Sequence, residues 1–142
     1  MTTGAAVAQR TAAGGAGRIA VLVLRLALAA VFAMAGLAKL AGDAAMVEMF
    51  ADIGAGQWLR IFVGTCEVLG VIGLLVPRLA GVAALGLVAL MTGATFTNVV
   101  VLEVTPALTI ALLVAAAVVA WARWDDVRAL VPSRRAQESP WT

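Results

Sequence analysis

The stretch RLALAAVFAMAGLAKL, residues 25–40, decides the fold class of this chain. It is apolar apart from two charged residues near its ends, Arg25 and Lys39. With the apolar residues before it, the run covers about residues 19–40, which is long enough for a helix to cross a bilayer. The stretch therefore predicts a transmembrane helix with an arginine in its inner part, where a charge costs several kcal/mol unless it is paired.

The rest of the composition extends this interpretation to the whole chain. Of the 142 residues, 63% are hydrophobic and 13% charged, with a mean hydropathy of +1.05, which is well above a soluble domain's apolar content. Further apolar runs cover about residues 58–76, 79–100 and 106–124. We therefore predict an all-α integral membrane four-helix bundle, with no room left for a soluble catalytic domain.

The connection between the first two spans, GDAAMVEMFADIGAG at residues 42–56, has a helical pattern of its own. Met46, Met49 and Phe50 recur at helical spacing, Asp43 is a suitable N-cap, and Gly54 is a suitable stop. The pattern predicts a short amphipathic helix lying on the outer membrane surface. The alternative is an irregular loop whose apolar residues are tucked into the bundle.

The distribution of basic residues predicts the orientation in the cell membrane. Arginines precede the first span, stand between the second and third spans, and follow the fourth, so both termini are predicted to be cytoplasmic. The predicted organisation is a disordered cytoplasmic tail at 1–18, a four-span domain at 19–124, and a cytoplasmic tail at 125–142. The basic residues form no aromatic-interleaved face, so nucleic acid is not an expected partner.

The residue types that usually hold cofactors are scarce. Histidine is absent and Cys66 is the one cysteine, which excludes an internal disulfide and a CxxC pair, and removes the commonest haem and zinc ligands. We expect no metal site and no covalently bound cofactor. No catalytic residue is assigned, and we do not expect the chain to be an enzyme on its own.

The polar residues inside the spans are the candidate functional residues. Glu67 is the one acid in the middle of a span, and it is the expected partner of Arg25, directly or through a ligand. Lys39 and Asn98 are expected at one level nearer the outer surface, as a polar entrance above Glu67. The predicted ligand-binding set is therefore Arg25, Lys39, Glu67 and Asn98.

Glycines stand beside Glu67 at positions 64, 70 and 73. They suit close helix packing, and they also suit a flat ligand between helices; packing is the more ordinary interpretation.

The pattern resembles the DoxX family of small four-helix membrane proteins over about residues 22–124. The resemblance rests on LRLALAAVFAMAGLAKL (24–40), the short segment after it, GTCEVLGVIGLLVP (64–77) and MTGATFTN (91–98). Many members carry a histidine near the position of Thr97 and Asn98, which this chain lacks. The family takes its name from a quinone-reducing thiosulfate oxidation system. Other members are linked to membrane redox and oxidative-stress complexes, and related proteins assist membrane-protein assembly.

These observations lead to competing hypotheses for the function. The first is a redox-associated membrane subunit that binds a quinone-like or lipid ligand between its helices and works with a membrane redox partner. The alternative is a non-catalytic scaffold or assembly factor for a membrane complex. A proton or small-solute conduit, based on Glu67 alone, has the least support because no relay crosses the inner half. The sequence does not define an oligomeric state.

Overall fold

The computed structural model describes residues 3–131, with side chains from residue 14 onward. Helices and short connections account for all of these residues, which confirms the all-α fold class. The helices are α1 (Thr3–Ala41), α2 (Ala44–Ile53), α3 (Gln57–Leu75), α4 (Ala80–Val100), α5 (Ala107–Ala122) and α6 (Trp124–Leu130).

Three helices in the described part of the chain are long and apolar enough to cross a membrane on their own: residues 14–41 of α1, α3 and α4. The helix α5 has 16 residues and is joined to α6 by a 65° bend, so this pair supplies a fourth candidate span. The length of α5 alone, about 24 Å, is somewhat below the thickness of a typical hydrocarbon core. The predicted span boundaries at 58–76, 79–100 and 106–124 agree with α3, α4 and α5 within a few residues.

Antiparallel packing of α5 along α4 supports its assignment as a span. The hydroxyl of Thr95 donates to the hydroxyl of Thr109 at 3.0 Å near one end of the pair. Gly81 lies against the backbone of Arg123 near the other end. The two helices therefore stay in contact over about 21 Å of α4, most of the way across a hydrocarbon core.

The four long helices form a closed ring, in which α1 and α4 each pack against both α3 and α5. Side chains from every one of these helices meet in the middle of the bundle. The largest fully buried ones are Phe32, Leu74, Leu87 and Val119. In lipid such packing, rather than removal of apolar surface from water, holds helices together.

The glycines of α3 are packing positions. A Cβ at Gly70 would lie 2.7 Å from the side chain of Leu87, and one at Gly73 would lie 2.6 Å from the Cβ of Ala83. On the other face of α3, a Cβ at Gly64 would lie 3.1 Å from the carbonyl oxygen of Gly36. Glycine at these positions thus allows the close approach of α3 to both neighbours, which supports the packing interpretation.

Local signals fix the ends of α2 and the turn between α3 and α4. The Asp43 carboxylate accepts the backbone N–H groups of Ala45 and Met46, and Gly54 ends α2 with a φ of 76°. The predicted short helix is therefore confirmed. Between α3 and α4 the chain turns over Val76–Leu79, around Pro77, which has no N–H to extend α3.

At the N-terminus α1 begins at Thr3, so this helix overlaps the stretch predicted as a disordered tail at 1–18. The predicted C-terminal tail at 125–142 begins within α6, and its residues 132–142 lie outside the described residues. The cytoplasmic placement of both termini stays a prediction.

Candidate functional site

A cavity of about 550 Å³ opens at the α2 end of the bundle, between all four long helices. Most of its wall is apolar, with Phe32, Met91 and Leu112 on the side of the bundle core. Such a volume is within the range of pockets that bind small molecules. The polar side chains on its wall are Lys39, Glu67, Thr97, Asn98, Thr105 and Thr109.

The helix α2 forms the outer wall of this cavity. Met46, Met49, Phe50 and Ile53, the apolar face of α2, all line it, and Phe50 is 5% exposed. The predicted helix is therefore present, but its apolar residues contact the bundle, as in the alternative of a tucked-in segment. Its apolar face covers the space between the long helices.

An ion pair between Lys39 and Glu67 lies on the cavity wall. The Lys39 ammonium donates to both carboxylate oxygens of Glu67, at 3.0 and 3.1 Å. It also donates to the carbonyl oxygen of Ala35 one turn earlier, at 3.4 Å. The side chains are 12% and 4% exposed, respectively, so the pair is almost completely removed from solvent and each charge depends on the other.

The predicted pairing of Arg25 with Glu67 is wrong, because the register of α1 against α3 does not allow it. Gly36 lies against Gly64 and against the Cβ of Glu67, which places Glu67 beside the C-terminal part of α1. Arg25 lies about 16 Å from Gly36 along the axis of α1, toward the N-terminus of the helix. An arginine side chain cannot extend over that distance to Glu67. Lys39 is less than one turn from Gly36 and points back toward the carboxylate.

Arg25 instead meets the other end of α3. Its Nε donates to the carbonyl oxygen of Leu74 at 3.0 Å, and its Nη2 donates to the same oxygen. This carbonyl belongs to the last turn of α3, where carbonyl groups lack helical N–H partners and the helix dipole is negative. Arg25 lines a second groove at this end, so it lies outside the α2-end cavity.

The polar side chains of α4 are three threonines and one asparagine. Thr92 and Thr97 donate to the carbonyl oxygens of Val88 and Gly93 on their own helix, as expected for threonine in a membrane helix. The Asn98 side chain lines the cavity and has no hydrogen-bond partner among the described residues. It is therefore the polar group on the wall with most capacity for a ligand.

The structure thus brings Lys39, Glu67 and Asn98 together around one cavity and places Arg25 elsewhere. Thr105 and Thr109, at the start of α5, are cavity residues that sequence reasoning missed. Isolated threonines at a span end carry no distinguishing signal. Glu103 is exposed and does not line the cavity, and no group of three metal-ligating side chains occurs within residues 3–131.

Comparison with known proteins identifies the family of this chain. No curated protein and no solved structure matches the chain. A family match covers residues 23–123, from the first turns of the membrane-spanning part of α1 to the end of α5, and includes every residue of the α2-end cavity. The protein therefore belongs to the DoxX-like family.

Proposed function

We propose that the protein is a membrane subunit that binds a quinone-like molecule in the α2-end cavity. One observation carries the proposal: an apolar space of about 550 Å³ has on its wall a buried ion pair and an amide that has no partner among the described residues. Ligand sites have this character, a mostly apolar lining with a few polar groups that orient the molecule. The interior of the bilayer supplies lipophilic molecules to a cavity of this kind.

The polar groups suit a ligand head that contains both carbonyl and hydroxyl oxygens. The carboxylate of Glu67 has further lone pairs that accept hydrogen bonds, and the amide of Asn98 both donates and accepts, while the three N–H groups of Lys39 already donate to Glu67 and Ala35. A quinone presents acceptors and its reduced form presents donors, so this set serves either form. The isoprenoid or acyl part of the molecule would lie against Phe32, Met49 and other apolar residues of the wall.

In this proposal the chain binds the molecule and a partner supplies the electrons. With one cysteine and no histidine, the sequence offers no usual ligand set for haem or an iron–sulfur cluster. The residues on the wall then act by orienting the ligand head and excluding water around it.

The test is binding of a short-chain benzoquinone to the purified full chain in mild detergent, measured as a saturable rise in unfolding temperature. Ala94→Phe should strongly weaken the effect, because Ala94 lines the cavity and a ring there would project into it and take up part of its space. Asn98→Leu should weaken binding about tenfold, as expected for one lost polar anchor. Gly86→Ala, on an exposed face of α4 with open space around it, is the control and should bind normally.

Native mass spectrometry of the same proteins identifies the natural occupant. A quinone retained by the wild type and lost in Ala94→Phe supports the proposal. A phospholipid lost in the same way replaces the quinone with a lipid ligand. Equal benzoquinone effects in the wild type and Ala94→Phe, or no saturable effect at all, refute binding in this cavity.

A scaffold function is a second candidate, and the position of the ion pair favours it. Lys39 and Glu67 lie beside the Gly36–Gly64 contact, where they also fix the register of α1 against α3. Buried charges sometimes serve such specificity. Exchanging the charges, Lys39→Glu with Glu67→Lys, should restore the abundance lost in either single variant if the role is structural. A ligand site should tolerate the exchange less well.

A further inference from the structure

A second groove lies at the opposite end of the bundle from α2, between α1 and the end of α5. It has a volume of about 540 Å³. Three arginines line it: Arg18 and Arg25 from α1, and Arg123 from the junction of α5 and α6. Gly14 and Gly17 complete the α1 side, where a Cβ would meet nothing within 4 Å. The groove is therefore open and strongly basic.

Arg25 is the buried member of the three, with 8% of its surface exposed. A guanidinium has five N–H donors, and the described acceptor of Arg25 is a single oxygen, the Leu74 carbonyl. No carboxylate of the described residues lies within ion-pair distance of it. An anion in the open groove would stabilise this buried guanidinium better than a further carbonyl group, because it supplies both hydrogen-bond acceptors and a compensating charge.

The carboxylate that is nearby already has a partner. Asp126 pairs with the Nε of Arg123 at 2.6 Å, while the Nη2 of Arg123 donates to the Pro77 carbonyl at 2.8 Å. No acidic side chain lines the groove among the described residues, and Asp126 beside it is already paired with Arg123. The remaining positive charge is on Arg18 and Arg25.

We propose that this groove binds the phosphate group of an anionic phospholipid, with Arg25 as the buried anchor and Arg18 at the rim. The groove favours a lipid over free phosphate because it continues from the rim into the membrane-spanning part of α1. Arg25 is about 10 Å deeper along α1 than Arg18, and Val21 and Leu22 line the wall between them. A headgroup phosphate with an acyl chain beside it fits this order, as basic pockets between membrane helices do.

The experiment measures phosphatidylglycerol and phosphatidylcholine bound to the full chain after incubation with vesicles of each lipid, by native mass spectrometry. The wild type should retain at least five times more phosphatidylglycerol than phosphatidylcholine. Gly17→Phe should sharply reduce this preference, because the ring would project into the groove and take up part of its space. Gly15→Phe is the matched control: the position is equally open on the same helix, does not line the groove, and should retain the preference.

Charge variants test the anchors separately. Arg25→Gln should reduce bound phosphatidylglycerol at least fivefold and Arg18→Gln about twofold. Arg78→Gln, an exposed arginine at the same end outside the groove, should change it little. If Arg25→Gln does not fold, the comparison of Gly17→Phe with Gly15→Phe still tests whether the groove binds phosphatidylglycerol.

Two results would overturn the proposal. Equal loss of phosphatidylglycerol in Arg78→Gln and Arg18→Gln would mean a diffuse surface charge effect rather than a site. Displacement of the bound lipid by millimolar inorganic phosphate, together with equal stabilisation by phosphate alone, would make the groove a site for the free anion.

Discussion

Replacing Lys39 with methionine should destabilise the protein far more than an ordinary substitution at the end of a span. The Glu67 carboxylate is 4% exposed, and among the described residues the Lys39 ammonium is its one hydrogen-bond donor. Methionine preserves the unbranched apolar stem but removes the charge. Removing one partner of a buried ion pair typically costs about 3–5 kcal/mol, because the other charge remains buried without compensation.

Substitution of Glu67 should lower the free energy of unfolding less than substitution of Lys39. The prediction tests this difference between the two partners. In Glu67→Gln the Lys39 side chain, 12% exposed and two residues before the end of α1, can extend toward the membrane surface. We expect a loss of about 1–3 kcal/mol. The double variant leaves no buried charge and should lose about 1–3 kcal/mol as well, so the coupling free energy between the two positions is at least about 1 kcal/mol.

The free energy of unfolding is measured by titrating the purified proteins in nonionic detergent with SDS, followed by tryptophan fluorescence and circular dichroism. Leu37→Met is the matched control, because it places methionine two residues away on α1 at a position that is 59% exposed, and it should change stability by less than about 0.5 kcal/mol. A loss below about 1 kcal/mol in Lys39→Met, or additive losses in the double variant, would refute the assignment of Lys39 as the partner of Glu67.

Two further predictions concern packing and capping. Gly73→Ala should destabilise the bundle by about 1–3 kcal/mol, since the new Cβ would overlap that of Ala83, whereas Gly86→Ala meets open space and should stabilise it by about 0.5–1 kcal/mol; the same SDS titration measures both. Asp43→Ala should cost α2 about 1 kcal/mol through loss of its N-cap, and Asp43→Asn should not. Amide hydrogen exchange should then speed up in α2 and not in α3, and uniform acceleration would contradict a local cap.

The helices were predictable from the sequence because each is marked by local chemistry. Apolar runs of the length of a membrane crossing define α3 and α4, and a cap residue at each end defines α2. These signals depend on neighbours in the chain and on the solvent, both of which the sequence contains. The position of α2 against the cavity was less predictable, since an apolar helix face suits a membrane surface and a bundle equally well.

The charge pairing was not predictable in the same way, because it depends on how two helices are placed along each other. Pairing the one acid in the middle of a span with the arginine in the inner part of another span assumes a register between α1 and α3, and that assumption gives the wrong partner for Glu67. The register is fixed by the contact of Gly36 with Gly64, and many glycine pairs in this chain could have met. Sequence reasoning identified the charged residues correctly but had no measure of that register.

Small residues close the bundle in one place and open it in another, and this difference explains where the cavity lies. At Gly70 and Gly73 a neighbouring helix fills the space that a side chain would occupy. At Gly93 a Cβ would meet nothing within 4 Å, and with Ala35 and Ala94 this glycine lines the cavity. A small residue therefore favours ligand binding only where no neighbouring helix approaches it. In this bundle that condition holds on α4 near the α2 end, beside the Lys39–Glu67 pair, which makes Ala94→Phe the decisive variant for the proposed site.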